Sequence, residues 1–423
     1  MNWEQRYRLT HAARASLVLE SGLALLAALI CAPLVWWLDQ QTGWHLFGFS
    51  PEGARSILGA LTGSMLTFIV FVLSSTLIVV QLASGQLTPR VIALVFALPG
   101  VKLTLALFTF TYGYTLAVFG RIDDRVPDLH AGIAVILNLL CILAFFFFVQ
   151  RLSSGLRPTS LMRLVTDRGL RVIEAVYPLP YTPERAELAP GVTSMPSPVA
   201  TVEFDRRSGV VMAFCSADLV RIAQAMDAVV ELVPQVGDFV ATGDSLFKVY
   251  AAKGPIPAEA LRACVAVGAE RTMEHDPRFV FRILVDIASR ALSPAINDPT
   301  SAVLVIDQIH HLLLCVGRRH LDEGRVRDGE GKLRLVFGTP DWPDFVMLAV
   351  SEIRHFGEGS LQVGRRLRAM LEHLIEVLPE SHRPPLEEEL AMLGNAVARR
   401  FSEEADRKRA LVADYQGIGG SDS

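Results

Sequence analysis

The sequence predicts an α-helical membrane domain with four transmembrane helices, followed by an α+β cytosolic domain with a small β-barrel-like part and then a helical part. Three observations predict it. Ser56 to Pro89 passes without one Asp, Glu, Lys or Arg, a longer run than the roughly 20 residues that cross a bilayer core. The apolar excess sits before Arg151, within a chain of 423 residues that is 51% hydrophobic with a mean hydropathy of +0.37. After a proline-rich stretch, short alternating segments around Gly and Asp give way to helical periodicity opened by prolines. The expected boundaries are 1–151 for the membrane domain, 152–198 for a connecting helix and Pro-rich linker, 199–250 for the β-rich part with an inserted helix, and 251–423 for the helical part.

The first span runs from Ser16 to Leu38, behind Arg6, Arg8 and Arg14, and ends at Trp36 and Trp37. It is too long for a signal-peptide core and lacks a small-x-small cleavage site, so a retained span is expected. Glu20 lies about one turn inside it, where a carboxylate snorkels or pairs at the interface. The second span covers Ile57 to Leu82. Ser64, Thr67, Ser74 and Gln81 recur at steps of three and seven, so they share one helical face with Phe71 and Ile78. These six are the candidate pore-lining residues: hydroxyls and an amide for partial dehydration, with Phe71 and Ile78 as hydrophobic constrictions. The competing reading is helix-packing glue, supported by Gly59 and Gly63 as a small-xxx-small pair.

Thr88-Pro89-Arg90 opens a segment, Val91 to Leu98, too short to cross and suited to an interfacial or re-entrant helix. The third span, Leu103 to Phe119, carries Thr104, Thr109, Thr111, Tyr112, Tyr114 and Thr115; the fourth, Ala131 to Val149, carries Asn138 and a Phe145 to Phe148 cluster. Loop cations give the orientation. Arg6, Arg8, Arg14, Arg90, Lys102, Arg151, Arg157, Arg163, Arg168 and Arg171 on one side outnumber Arg55, Arg121 and Arg125 on the other. Both termini and the soluble part are therefore expected in the cytoplasm, with the spans in a bacterial inner (plasma) membrane. Asp123, Asp124 and Asp128 mark the outer loop.

Pro178, Pro180, Pro183, Pro190, Pro196 and Pro198 stiffen the linker. Val199 to Phe214 alternates like strands around Arg206-Arg207-Ser208-Gly209, and Ala217 to Val230 reads as an amphipathic helix. Val236 to Val249, with its Gly-Asp pairs, resembles the strand-and-turn rhythm of biotinyl/lipoyl-like barrels without the carrier Met-Lys, so no prosthetic group or other cofactor is expected. Helices are then expected over Pro257 to Met273, Pro277 to Ala291, Pro299 to His320, Pro343 to Phe356, Leu361 to Leu378 and Leu386 to Asp414, with one short strand at Lys332 to Phe337.

The densest polar constellation joins Arg271, Asp276, Arg278, Arg282, Asp286, Arg290, Asn297 and Asp298. Arg278, Arg282, Asp286 and Arg290 are spaced by four and can form a charge ladder. Asp298 suits the cap of a helix opened by Pro299, whose N-terminus with Thr300 and Ser301 can hold an anion. Two readings stand: a structural ion network joining two helices, or a ligand or ion site with Asp286, Asn297 and Asp298 as oxygen donors. No calcium-loop spacing or other metal site is present in the pattern. Adjacent His310 and His311 point about 100° apart on a helix, a poor metal pair; His275 beside Asp276 can form a local hydrogen bond. The widely spaced Cys31, Cys141, Cys215, Cys264 and Cys315 match neither a disulfide framework nor zinc. No nucleophile elbow, phosphate loop, dinucleotide fingerprint or His-Glu-x-x-His occurs, so no enzyme is expected. A net charge of −4 argues against nucleic acid as a partner.

Ser74-Ser75-Thr76 through Gln81-Leu82-Ala83-Ser84-Gly85-Gln86 to Pro89-Arg90, Arg271-Thr272 with Asp276, and Leu284 to Pro299 together resemble the bacterial membrane proteins grouped as domain of unknown function 2254. His275 stands where the family pattern has Gln. The resemblance covers most of the chain and implies four spans followed by a cytosolic domain, with no transferable activity. The function expected is a homo-oligomeric, channel-like protein whose second span lines an ion or small-solute path and whose cytosolic domain assembles or gates it. Its expected partners are the lipid bilayer, copies of itself, and an ion or small anionic ligand. The alternative is a membrane-anchored cytosolic sensor or scaffold; secondary transport ranks third, for want of midplane ionisable residues and repeats.

Overall fold

The computed structural model describes residues 3–7, 16–42, 48, 50–86, 99–122, 128–155, 158–184, 195, 197–321 and 324–420. Expectations for Val91 to Leu98, for Arg90, Asp123, Asp124 and Arg125, and for Pro190 and Pro196 lie outside these residues. The chain divides into two compact units, Thr10–Ser160 and Met1–Leu9 with Leu161–Ser423.

The first unit is a bundle of α1 (Leu17–Thr42), α2 (Pro51–Gln86), α3 (Pro99–Phe119) and α4 (Asp128–Gly155). Helix α3 touches each of the other three and is the most enclosed. Its Gly113 permits this: a Cβ there would lie 2.7 Å from Leu25 Cδ1 and 3.3 Å from the Ala28 Cβ. Small residues continue that close approach in one apolar layer of Ala28, Ala32, Ala54, Leu58, Val118, Ala131 and Ala134. A second layer, of larger side chains, contains Met65, Val72, Leu105, Phe108 and Phe148. Glu20 pairs with Lys102 at 2.7 Å, tying the start of α1 to the start of α3.

The expectation of four transmembrane helices is corrected by the structure. Among the described residues, five helices are long and apolar enough to cross a membrane: Val18–Gln41, Pro51–Gln81, Gly100–Phe119, Asp128–Gln150 and Pro299–Gly317. The fifth belongs to the other unit. It falls within the helix expected over Pro299 to His320 in the helical part, and Val303 to Ile306, Ile309 and Leu312 to Leu314 make it apolar despite Asp307, His310 and His311. Half of its apolar stretch is buried inside the unit.

The second unit starts with α5 (Pro158–Val176), which enters it at Leu161, and continues with β1 (Ala200–Glu203), β2 (Gly209–Phe214), α6 (Ser216–Ala225), β3 (Val229–Leu232), β4 (Phe239–Val240), β5 (Ser245–Tyr250), α7 (Ala258–Arg262) and β6 (Val265–Gly268). After these come α8 (Pro277–Ala291), α9 (Pro299–Gly317), β7 (Arg325–Arg327), β8 (Leu333–Phe337), α10 (Trp342–Gly357), α11 (Leu361–Val377), α12 (Arg383–Arg400) and α13 (Glu404–Ala410). The β-barrel-like expectation is also corrected. The strands form two open sheets, ordered β1-β5-β3-β8-β7 and β4-β2-β6. The Gly-Asp turns do form, with Gly237 at φ +94° and Gly243 at φ +96°. Closure fails because β4 has only two residues and pairs with β2, while β3 takes the distant β8 as a parallel neighbour, Val230 opposite Leu335.

Other local differences share this cause, that pairing partners lie far away in sequence. The strands expected on either side of the Arg206 to Gly209 turn both form but do not pair with each other, since β1 and β2 belong to different sheets. Gly209 lets β2 approach β6, where a Cβ would lie 2.5 Å from the Gly268 carbonyl oxygen. The helix expected to reach Val230 stops at Ala225, with Asp227 at φ +47° before Val229 starts β3. The helix expected over Pro257 to Met273 is only α7, because Val265 to Gly268 is held as a strand by β2. The last expected helix is broken into α12 and α13.

Candidate functional site

Two places carry the candidate residues, one in each unit. On α2, Ser64, Thr67, Phe71, Ser74, Ile78 and Gln81 are all exposed, while Met65, Val72 and Val79 face the bundle. Ser64 Oγ donates to the Ala60 carbonyl at 2.9 Å and Thr67 Oγ1 to that of Gly63 at 3.1 Å. Ser74 and Gln81 have no side-chain partner among the described residues. Phe71 meets Phe145 of α4 edge-on, ring centres 5.3 Å apart, and remains half exposed. The face is thus a mixed polar and apolar stripe that is exposed among the described residues.

In the other unit, the charged motif resolves into parts with different tasks. Asp276 and Asp298 cap α8 and α9, accepting from Phe279 N at 3.2 Å and from Ser301 N at 3.0 Å, each followed by a proline. Asn297 sits at φ +48°, a left-handed conformation that Asn tolerates, and closes the α8–α9 turn with its N–H on the Ser293 carbonyl at 2.8 Å. Arg282 pairs with Asp286 at 2.6 Å and reaches α10, where its Nη2 donates to Glu352 Oε2 at 2.7 Å. These hydrogen bonds, chiefly that to Glu352, raise the Arg282 guanidinium and lower the Glu352 carboxyl. The ladder goes no further: Arg278 turns away, and Arg290 makes no ion pair among the described residues.

Arg271 and Arg278 instead hold the loop before β4. Arg271 Nε donates to the Gly237 carbonyl at 2.6 Å and Arg278 Nη2 to that of Val236 at 3.3 Å. Gly237 is required there, since a Cβ would stand 2.6 Å from Asp276 Oδ2. Beside this clamp lies a cavity of about 210 Å³ lined by Tyr177, Phe214, Gln235, Asp276, Arg278 and Phe337 among others. Asp276 Oδ2 and Gln235 Oε1 are buried with no hydrogen-bond partner among the described residues. Burial raises the Asp276 carboxyl despite the pull of Arg278 and Arg271, and burial lowers His275. His275 does not bond to Asp276; its ring lies 5.9 Å from that of Tyr7.

The structure therefore brings Asp276 and Arg278 to one cavity, leaves Arg271 on the adjoining Gly237 loop, puts Arg282 and Asp286 in an interhelical ion network, and leaves Asn297 and Asp298 as turn and cap. Gln235 and Glu352 are new members, brought in by tertiary contact; the Gly237-Asp238 turn was the only sequence signal near Gln235. His310 finds a partner in His373 of α11, Nε2 to Nδ1 at 2.8 Å, rather than in His311.

No solved structure matches this chain. Uncharacterized proteins of Mycobacterium bovis and Mycobacterium tuberculosis are each 28% identical to it over 386 residues, covering 87% of this chain and 73% of theirs. The family model described as "Predicted membrane protein (DUF2254)" matches residues 14–373. With four of the five candidate spans in one unit and a helical and sheet-containing part in the other, the protein is a multi-pass membrane protein with a soluble, cytosolic domain, consistent with the inner membrane. That match takes in the exposed stripe of α2 and the Asp276 clamp alike, and the chain belongs to the DUF2254 family of predicted membrane proteins.

Proposed function

We propose that this protein acts as a homo-oligomeric, channel-like assembly in which α2 lines an ion or small-solute path and the soluble unit assembles or gates it, without a catalytic step. The observation that carries this reading is the uncovered stripe of α2, on which Ser64, Thr67, Ser74 and Gln81 sit beside half-exposed Phe71 and Ile78. In hydrocarbon an amide without a partner is unfavourable by several kcal/mol, about 2–7 by transfer measurements. Gln81 and Ser74 are better matched to a watery path or to a second copy of α2 than to lipid tails. Phe71 and Ile78 on the same stripe supply the constriction. Full-length protein in planar bilayers is expected to conduct, and Phe71→Ala to raise the current severalfold. Silent bilayers from a protein still oligomeric would sink the proposal.

A membrane-anchored sensor is favoured by one separate observation, the cavity lined by Arg278 in which Asp276 Oδ2 and Gln235 Oε1 are unpartnered among the described residues. Calorimetry on the full chain in nanodiscs, with divalent cations and small carboxylate and phosphate anions, is then expected to give heat that Asp276→Asn and Arg278→Ala both diminish. No heat from any of them removes the sensor reading and leaves the channel reading untouched.

A further inference from the structure

The interior of the membrane unit carries a second polar system, independent of the α2 stripe. His130 of α4 is 0% exposed and Asn138, about two turns further along, is 1% exposed. Tyr114 Oη and His130 Nδ1 are hydrogen-bonded at 3.1 Å, which leaves Nε2 with no protein partner among the described residues. Asn138 uses both amide protons, on Thr115 Oγ1 at 2.9 Å and on the Ala134 carbonyl at 2.8 Å, and its Oδ1 likewise has no partner.

Turning the amide over does not repair this. Thr115 Oγ1 gives its own proton to the Thr111 carbonyl at 2.7 Å, so Thr115 Oγ1 and the Ala134 oxygen both present acceptors to Asn138. Oδ1 must face away from them and needs a donor from elsewhere. Cys141 Sγ, one turn below, donates to Thr111 Oγ1 at 3.2 Å and belongs to the apolar layer of Met65, Leu105, Phe108 and Phe148. The polar system thus runs from the N-terminal end of α4 to the middle of the unit and stops there. In hydrocarbon, two orphaned polar atoms in one bundle call for a small guest that can both donate and accept.

We propose that α1, α3 and α4 enclose internal waters, one donating a hydrogen bond to Asn138 Oδ1 and another exchanging protons with His130 Nε2. Water suits both ring tautomers, accepting from Nε2–H or donating to bare Nε2. The charged and titratable groups at the His130 end of the bundle are Asp39 and Cys31 of α1, Arg55 of α2, Tyr114 of α3, Arg121 in the turn after α3, and Asp128 of its own helix. Asp39 accepts from Leu129 N at 3.0 Å and Arg55 donates to the Ile122 carbonyl at 2.8 Å, so both acids and bases stand at that end. The α4 end bearing His130 is opposite the one that leads into the cytosolic unit, so proton exchange occurs towards the outer side.

X-ray radiolytic footprinting of the full-length protein in nanodiscs, in ¹⁸O-labelled water, tests this. Bound water produces hydroxyl radicals where it sits. Tyr114 and Cys141 are expected to gain label severalfold above two dry references, Phe108 on the same helix and buried Cys264 in the soluble unit. Asn138→Leu is expected to lower the Cys141 label severalfold while sparing Tyr114. In ring-¹⁵N-histidine spectra, the signal missing from His130→Gln is expected to exchange with water and to respond to the pH of the medium. Wild-type Tyr114 and Cys141 labelled no more than their references, or a His130 signal that neither exchanges nor titrates, would overturn the proposal even if a variant failed to fold.

Discussion

Asp276 and Asp298 occupy the same capping position on consecutive helices, yet only Asp276 is buried against a cavity with one oxygen unpartnered. Burial raises its carboxyl above the ordinary 3.8. Folding thus favours the protonated form: its contribution to stability is complete below about pH 3.8 and is lost as pH rises through the folded value. Asp276→Asn keeps a capping oxygen and cannot ionise, so it is expected to match or exceed wild-type stability near neutral pH and to flatten the dependence on pH. Asp276→Ala loses the cap and is expected to cost about 1 kcal/mol. Denaturant unfolding of both variants at acidic and neutral pH checks the pair of expectations; equal losses in both would show that the cap is irrelevant.

Between elements, the soluble unit relies on a few exacting contacts. Glu389 of α12 is buried and accepts from Arg354 of α10 at 2.9 Å and from Ser351. Removing one partner of such a pair strands the other charge, so Glu389→Ala is expected to cost about 3 kcal/mol, read as a fall in the thermal midpoint of the soluble unit. Gly169 places α5 against α8 and α9: a Cβ would stand 2.4 Å from Val280 Cγ1 and 3.2 Å from Leu312 Cδ2. Alanine gains about 1 kcal/mol of helix propensity there and loses about 1–3 kcal/mol to overpacking. Gly169→Ala is therefore expected to be net destabilising by about 1 kcal/mol, and a stabilised variant would contradict the packing.

At the scale of the whole molecule, the proposed assembly predicts which α2 residues meet between copies. Ser74→Cys, on the exposed stripe, is expected to cross-link copies in membranes under mild oxidation, whereas buried Val72→Cys is not. Cross-linking from both positions, or from neither, would remove the stripe as a contact or path. Much of this scale was legible early. Residue periodicity placed α2 and the stripe, and prolines after Asp276 and Asp298 placed the starts of α8 and α9, because caps and amphipathic faces are local properties. The Asp276 cavity was only half legible. Asp276 and Arg278 are neighbours in sequence, but Gln235 and Phe337 reach them through the turn before β4 and the end of β8.

What the sequence determined by itself was the division into an apolar bundle and a mixed soluble unit, the polar stripe and the helix caps, since each follows from composition or from spacing within a few residues. Only the tertiary structure decided that the strands form two open sheets, that a fifth helix qualifies by length and apolarity, and that Arg282 turns to Glu352 instead of continuing a ladder. It also decided that His130 and Asn138 lie enclosed with unpaired atoms. These depend on which distant segments meet, and strand pairing, burial and ion-pair choice are settled by competing long-range contacts that spacing along the chain does not encode.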